Sequence, residues 1–216
     1  DGRLHIKGDA AYLGAVLKYE TGPWALGGSL YGSYGSYDST RKIGLANTEA
    51  DSKYKVWTIG QQLRASYMKG AESSYVKPFV TLDLIYTRMP SYQEKGAGAL
   101  NLNVNSADRF TAVLTPGVEV GGRIDLSSGY MLRPYASVGL ALSSTDKWKT
   151  NAHLAGRAAT GTEFQTTLET GRVYGTLSAG VQLTSHKGFD MQLQYDGVLS
   201  NRTHSSSGSI KANWRF

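Results

Sequence analysis

The 216-residue sequence contains no cysteine. Disulfide scaffolds, cysteine-ligated metal sites and thiol catalysis are therefore excluded. Proline is scarce, at 5 residues, and charged residues make up only 19% of the chain, against roughly a quarter in ordinary soluble domains. No stretch reaches the ~20 apolar residues a transmembrane helix needs. The longest apolar run, Ala10–Leu17, is interrupted by Gly14. The formal charge of +6 is scattered, with no block of like charges that would form a nucleic-acid footprint. The chain opens at Asp1 with neither Met nor a signal peptide, and so reads as a mature fragment or processed product.

What is abundant is glycine, 26 residues, and tyrosine, 14 residues, with much Ser and Thr. This composition disfavours helix and suits strands. The apolar residues recur with period two. Near the C-terminus Ile210, Ala212, Trp214 and Phe216 alternate with Lys211, Asn213 and Arg215. Phe189, Met191, Leu193, Tyr195 and Leu199 alternate with Asp190, Gln192, Gln194 and Asp196. Similar stripes are Val173–Leu183, Leu132–Leu142, Ala112–Ile124, Val76–Tyr86, Trp57–Tyr67 (interrupted by Gln61), Trp24–Tyr34 and Leu13–Tyr19.

Each predicted strand is about 10 to 18 residues long, whereas soluble strands average ~5–6 and a tilted membrane strand needs ~9–11. The connections alternate. Glu20–Pro23, Lys69–Ser74, Leu126–Gly129 and Ser185–Gly188 are tight turns. Asp38–Ser52, Pro90–Asp108, Ser143–Thr170 and Ser200–Ser207 are longer and polar. Short turns at one end and long loops at the other mark an outer-membrane barrel. The expected fold is an all-β, antiparallel transmembrane β-barrel with about nine strands present. Aromatics near strand ends (Trp24, Tyr34, Tyr67, Tyr86, Tyr195, Trp214, Phe216) would form the interfacial girdles. The opposite face would line a hydrated lumen, with Asp83, Glu119, Arg123, Asp190 and Asp196 as its charges. A soluble sandwich is the alternative, with the apolar face as its core. Residues 10–216 read as the barrel segment, and residues 1–9 as the end of an outer loop or a short strand.

Little points to chemistry. His5, His153, His186 and His204 show no metal-binding spacing. His204, Ser205–Ser207 and Asp196 contain the elements of a nucleophilic triad, but no G-x-S-x-G elbow accompanies them. Gly27–Gly35 lacks the Gly-Lys-Ser/Thr ending of a phosphate loop. No catalytic residue, metal site or cofactor is expected. Arg41, Lys42, Lys147, Lys149, Arg157 and Arg202 in the long loops could meet lipopolysaccharide phosphates or be solvated.

Three groups of segments carry a resemblance. They are Tyr12–Tyr19, Gly22–Leu26 and Tyr34–Arg41; then Val76–Phe79, Tyr86–Arg88 and Tyr92–Gly96; then Leu132–Ala136 and the ending Trp214–Phe216. Their order and spacing resemble the β-barrel translocator domain of bacterial autotransporters, the type V secretion family. The resemblance implies an outer-membrane anchor that helps an N-terminal passenger reach the cell surface. It also implies a twelve-stranded barrel with an α-helical tether in the lumen, so this chain would be its C-terminal nine strands. Ile210, Ala212, Trp214 and Phe216 resemble the C-terminal signal read by the barrel assembly machinery. The implied partners are outer-membrane lipid and lipopolysaccharide, that machinery, and the passenger. An independent small barrel, serving as porin, adhesin or outer-membrane enzyme, is the other reading, with a tenth short strand at Arg3–Lys7.

Overall fold

A computed structural model describes residues 4–44, 48–71, 73–126, 129–157, 163–185, 188–201 and 204–214. The strands are β1 (Leu4–Thr21), β2 (Trp24–Ile43), β3 (Thr48–Tyr67), β4 (Lys69–Ala71), β5 (Ser74–Met89), β6 (Tyr92–Gln93), β7 (Leu102–Val104), β8 (Ala107–Gly121), β9 (Ile124–Leu126), β10 (Tyr130–Ser143), β11 (Lys147–Leu154), β12 (Phe164–Glu169), β13 (Val173–Ser185), β14 (Phe189–Leu199) and β15 (His204–Trp214). A single 3₁₀ turn at Gly98–Leu100 is the only helix among the described residues.

The main sheet runs β1-β2-β3-β5-β8-β10-β13-β14-β15, antiparallel throughout, and curls into a half-barrel. β4 and β9 continue β3 and β8 past a break. Each break sits beside a proline, which has no N–H to donate to the ladder. At Pro78 the β3–β5 ladder lapses, and the Met68 N–H donates instead to Pro23 O at 2.8 Å. At Pro134 the β8–β10 ladder lapses in the same way, with the Gly122 N–H donating to Pro134 O at 3.1 Å. The chain reverses at Gly22, whose φ of +54° suits the tight β1–β2 turn.

The period-two stripes become the two faces of this sheet. One face carries exposed apolar side chains, among them Val138 at 54%, Leu140 at 48% and Ile210 at 72% exposure. Among the described residues no second sheet packs on it. Among the described residues the buried apolar ones are only Ala50, Val104, Ala107, Ala141 and Ala152, and no large side chain is fully buried. A soluble sandwich would bury this stripe, so the soluble alternative fails here.

The other face explains part of the glycine content. Aromatic rings lie flat over glycines of the neighbouring strand. A Cβ on Gly60 would stand 2.1 Å from Tyr31 Cζ, and one on Gly117 2.3 Å from Phe79 Cζ. Gly121 lies similarly beneath Tyr75, and Gly180 beneath Tyr135. Only a residue without a side chain permits this approach.

The long-loop end departs from expectation. Asp38–Ser52 is not a loop: β2 and β3 pair without interruption from Trp24↔Tyr67 to Ile43↔Thr48. Pro90–Asp108 and Ser143–Thr170 hold a second sheet, ordered β12-β11-β7-β6. Polar composition concealed this, because a strand outside the membrane has no apolar face to display. The last connection is short, since β15 already begins at His204. Residues 4–9 run on without a break as the first part of β1, and Arg3 lies outside the described residues.

Candidate functional site

The polar face is the candidate site. Pairing registers fix which residues share it: Gln62↔Asp83, Lys77↔Glu119, Ser137↔Glu119, Ser178↔Asp196 and Gln182↔Gln192. At its short-turn end Glu119 gathers three partners. Lys77 Nζ lies 2.5 Å from Oε1, Arg64 Nη2 lies 3.7 Å from Oε2, and the Tyr75 hydroxyl donates to Oε1 at 3.0 Å. The Glu119 side chain is only 13% exposed. Arg64 in turn stacks on the Phe79 ring, 3.9 Å from its centroid. These groups line a groove of about 730 Å³ holding Lys18, Arg64, Lys77, Arg123 and Arg133 against Glu20 and Glu119. Arg123 is also bridged to Asp125 at 2.9 Å.

The far side of the same face holds mostly amides, hydroxyls and aspartates, with Lys211 opposite Gln192 on β15. Asp196 accepts from Ser178 Oγ and, at 2.9 Å, from Gln194 Nε2. The Tyr135 hydroxyl donates to Gln194 Oε1 at 3.0 Å. Asp190 accepts from Gln182 Nε2 at 2.9 Å, and Asp83 from Gln62 Nε2 at 2.7 Å. Of the five predicted charges, Glu119 joins a basic cluster, Arg123 pairs with Asp125, and the three aspartates are each held by amide or hydroxyl donors. Sequence reasoning missed Arg64, Lys77 and Tyr75 as the partners of Glu119. Only the register could reveal them, because Arg64 lies on β3, Tyr75 and Lys77 lie on β5, and Glu119 lies on β8.

The structure takes the Ser–His–Asp reading apart. Asp196 pairs with Ser207, whereas His204 pairs with Leu199, which puts His204 on the opposite face of the sheet from Asp196. Among the described residues no three His, Asp or Glu side chains gather as metal ligands. His186 and Arg202 lie outside the described residues, as does Phe216. On β15 Ile210, Ala212 and Trp214 share the apolar face, and Trp214 meets Phe189 edge-on at 5.6 Å.

A second cluster ties the rim together at the long-loop end. Arg41 donates to Glu94 through Nε at 2.9 Å and Nη2 at 2.5 Å, and Nη2 also reaches Leu100 O at 3.0 Å. Glu94 accepts the Leu102 N–H at 2.9 Å. Tyr37, Tyr54 and Tyr92 stack in sequence, with centroids 5.3 and 4.9 Å apart. Asp51 and Lys95 exchange two backbone hydrogen bonds of 2.8 Å. The Glu94 carboxylate raises the Arg41 pKa, and burial raises those of Tyr54 and Tyr92.

Residues 1–196 match the family described as autotransporter beta-domain. The chain belongs to that family. The autotransporter beta-domain is an outer-membrane β-barrel of type V secretion, which places this chain in the bacterial outer membrane. In fold it is similar to the translocator domain of autotransporter NalP from Neisseria meningitidis. That match has a TM-score of 0.76 at 16% identity and covers 100% of this chain and 70% of that one. The beta domain of the Bordetella autotransporter BrkA aligns with a TM-score of 0.31, at 16% identity over 97% of this chain and 90% of that one. Esterase EstA of Pseudomonas aeruginosa (strain PAO1) is 28% identical over 111 residues, as is esterase EstA of Pseudomonas putida. Each match takes in 49% of this chain and only 17% of the esterase.

Proposed function

We propose that this chain is the membrane wall of a translocator that carries an N-terminal passenger to the cell surface. One observation carries the reading: a long-stranded, curved antiparallel sheet of the family fold, apolar outside and polar inside. In hydrocarbon every backbone group must be paired, so a spanning sheet must close. Alternating pairing along nine strands leaves β1 and β15 running in the same direction. Antiparallel closure at both seams then takes an odd number of further strands. Three, the difference from the family's twelve, meets that condition; a second copy in the same membrane orientation adds nine strands but would run parallel to this one at both seams. The polar face becomes the lumen wall, with Asp83, Glu119, Arg123, Asp190 and Asp196 on it. Short turns face the periplasm and the β6–β7 and β11–β12 rim faces outward.

In this reading the chain catalyses nothing, and its match takes in only 17% of each esterase. Ile210, Ala212 and Trp214 of β15, together with Phe216, form the assembly signal presented to the barrel assembly machinery. The test is pulse-chase export from cells carrying the whole protein. Deleting residues 205–216, or replacing Trp214 and Phe216 by Ser, is expected to leave the passenger inside the cell and protected from added protease. Undiminished surface exposure of the passenger would refute the reading.

A further inference from the structure

The apolar face changes character just beyond its upper aromatic row. Tyr34 of β2 pairs with Trp57 of β3, and Trp57 pairs with Arg88 of β5. Trp57 meets the Tyr86 ring edge-on at 5.6 Å. Lys55 lies on the same face one pleat further toward the long loops, with Nζ over the Tyr34 ring at 6.0 Å. In the β3–β5 register Arg88 and Lys55 are diagonal neighbours, a relation that spaces them by ~7–8 Å. Both are exposed, and neither has an ion-pair partner among the described residues. Acids stand nearby but are otherwise disposed. Asp38 is bridged to Lys53 at 3.1 Å, Asp51 accepts from Thr40 at 2.7 Å, and Asp108 of β8 is the direct cross-strand neighbour of Arg88 but forms no bridge to it. Below the pair come the exposed apolar side chains of Ile59 and Leu30, with Gln61 opposite Leu30 as a polar interruption.

We propose that Lys55 and Arg88, set above Trp57, form a site for the phosphate of a phosphorylated glycolipid of the lipid A type. The guanidinium supplies a fork of donors and the ammonium a point charge. Trp57 and Tyr86 would sit at the headgroup level, where amphipathic rings belong, and acyl chains would run down over Leu30 and Ile59. The outer leaflet is the lipid layer that touches this level when the long loops face outward, which selects glycolipid over phospholipid phosphate. The inference rests on that orientation, and not on passenger export.

The test uses the whole protein, extracted in detergent, with lipid retention read by native mass spectrometry. The probes are bisphosphorylated lipid A, dephosphorylated lipid A and phosphatidylglycerol. The wild type should retain bisphosphorylated lipid A. K55A/R88A should retain it at least tenfold more weakly, while K69A, which removes a cation from the short-turn end of the same face, should not differ from wild type. Heat-dependent gel mobility identifies folded variants, and K55Q/R88Q replaces the double alanine if that one fails to fold. Equal lipid A retention by wild type and double variant overturns the proposal. So does equal binding of phosphatidylglycerol or dephosphorylated lipid A by the wild type. Export can fail while lipid retention persists, so the two readings fall separately.

Discussion

At the scale of single residues, the polar face is organised by glycine more than by charge. Phe79 lies between the bare backbone at Gly117 and the guanidinium of Arg64, which itself reaches Glu119. Gly117→Ala would place a Cβ 2.3 Å from Phe79 Cζ and 2.6 Å from Val138 O. The ring can turn aside, but the backbone oxygen cannot. We expect a loss of about 1–3 kcal/mol, as for other overpacked sites, read as a lower urea midpoint for loss of heat-modifiable mobility. Gly208→Ala is the comparison, because nothing lies within 4 Å of its added Cβ. The double change G117A/F79A clears only the ring, so the loss that comes from Val138 O should remain. Phe79 and Tyr135 were legible in the sequence only as aromatics on the polar phase of their strands. Their partners Gly117 and Gly180 lie on other strands, so the pairing became visible only with the register.

At the scale of elements, the sequence displayed what the bilayer demands and concealed what it does not. Membrane strands announce themselves because lipid requires one apolar face. The rim strands β6, β7, β11 and β12 obey no such rule and read as polar loops. Arg41 and Glu94 nonetheless both fall in segments that carry the family resemblance, and the structure brings them into one bidentate pair. Arg41→Ala would leave the largely buried Glu94 carboxylate with the Leu102 N–H as its remaining donor. We expect the rim docking to lose about 1–3 kcal/mol, seen as new proteolytic cleavage at Lys95 while the membrane strands stay protected. The same contact predicts a dependence on alkali. Burial raises the Tyr54 and Tyr92 pKa values above 10.0. Their contribution is complete below the ordinary phenol value and is lost as pH rises through the folded values. Cleavage at Lys95 by an alkali-tolerant protease should therefore begin above about pH 10. In the absorbance titration of tyrosinate, Y54F/Y92F should lose two phenols from the late-ionising part of the curve.

At the scale of the whole molecule, the sheet is inverted relative to a soluble protein: its apolar side faces out and its polar side faces in. Strand period alone is neutral on this point, because a sandwich and a barrel share the same alternation. Strand length and the asymmetry of turns decided for the barrel, and the exposure of Val138, Leu140 and Ile210, over which no described residue forms a layer, agrees. The native chain has no cysteine, so one introduced thiol reports one position. On β10, Ser137 shares a face with Glu119, and Val138 lies on the other face beside Leu140. In outer membranes Ser137→Cys should react with a small charged maleimide, because that face is wet. Val138→Cys should resist the charged reagent and react with a lipid-soluble one. A sandwich would give the reverse, with Ser137→Cys on an open surface and Val138→Cys closed to both reagents until unfolding. Reaction of both thiols with the charged reagent in intact membranes would mean that the sheet is not embedded. The closed hydrated wall, on which translocation depends, would then have to be abandoned.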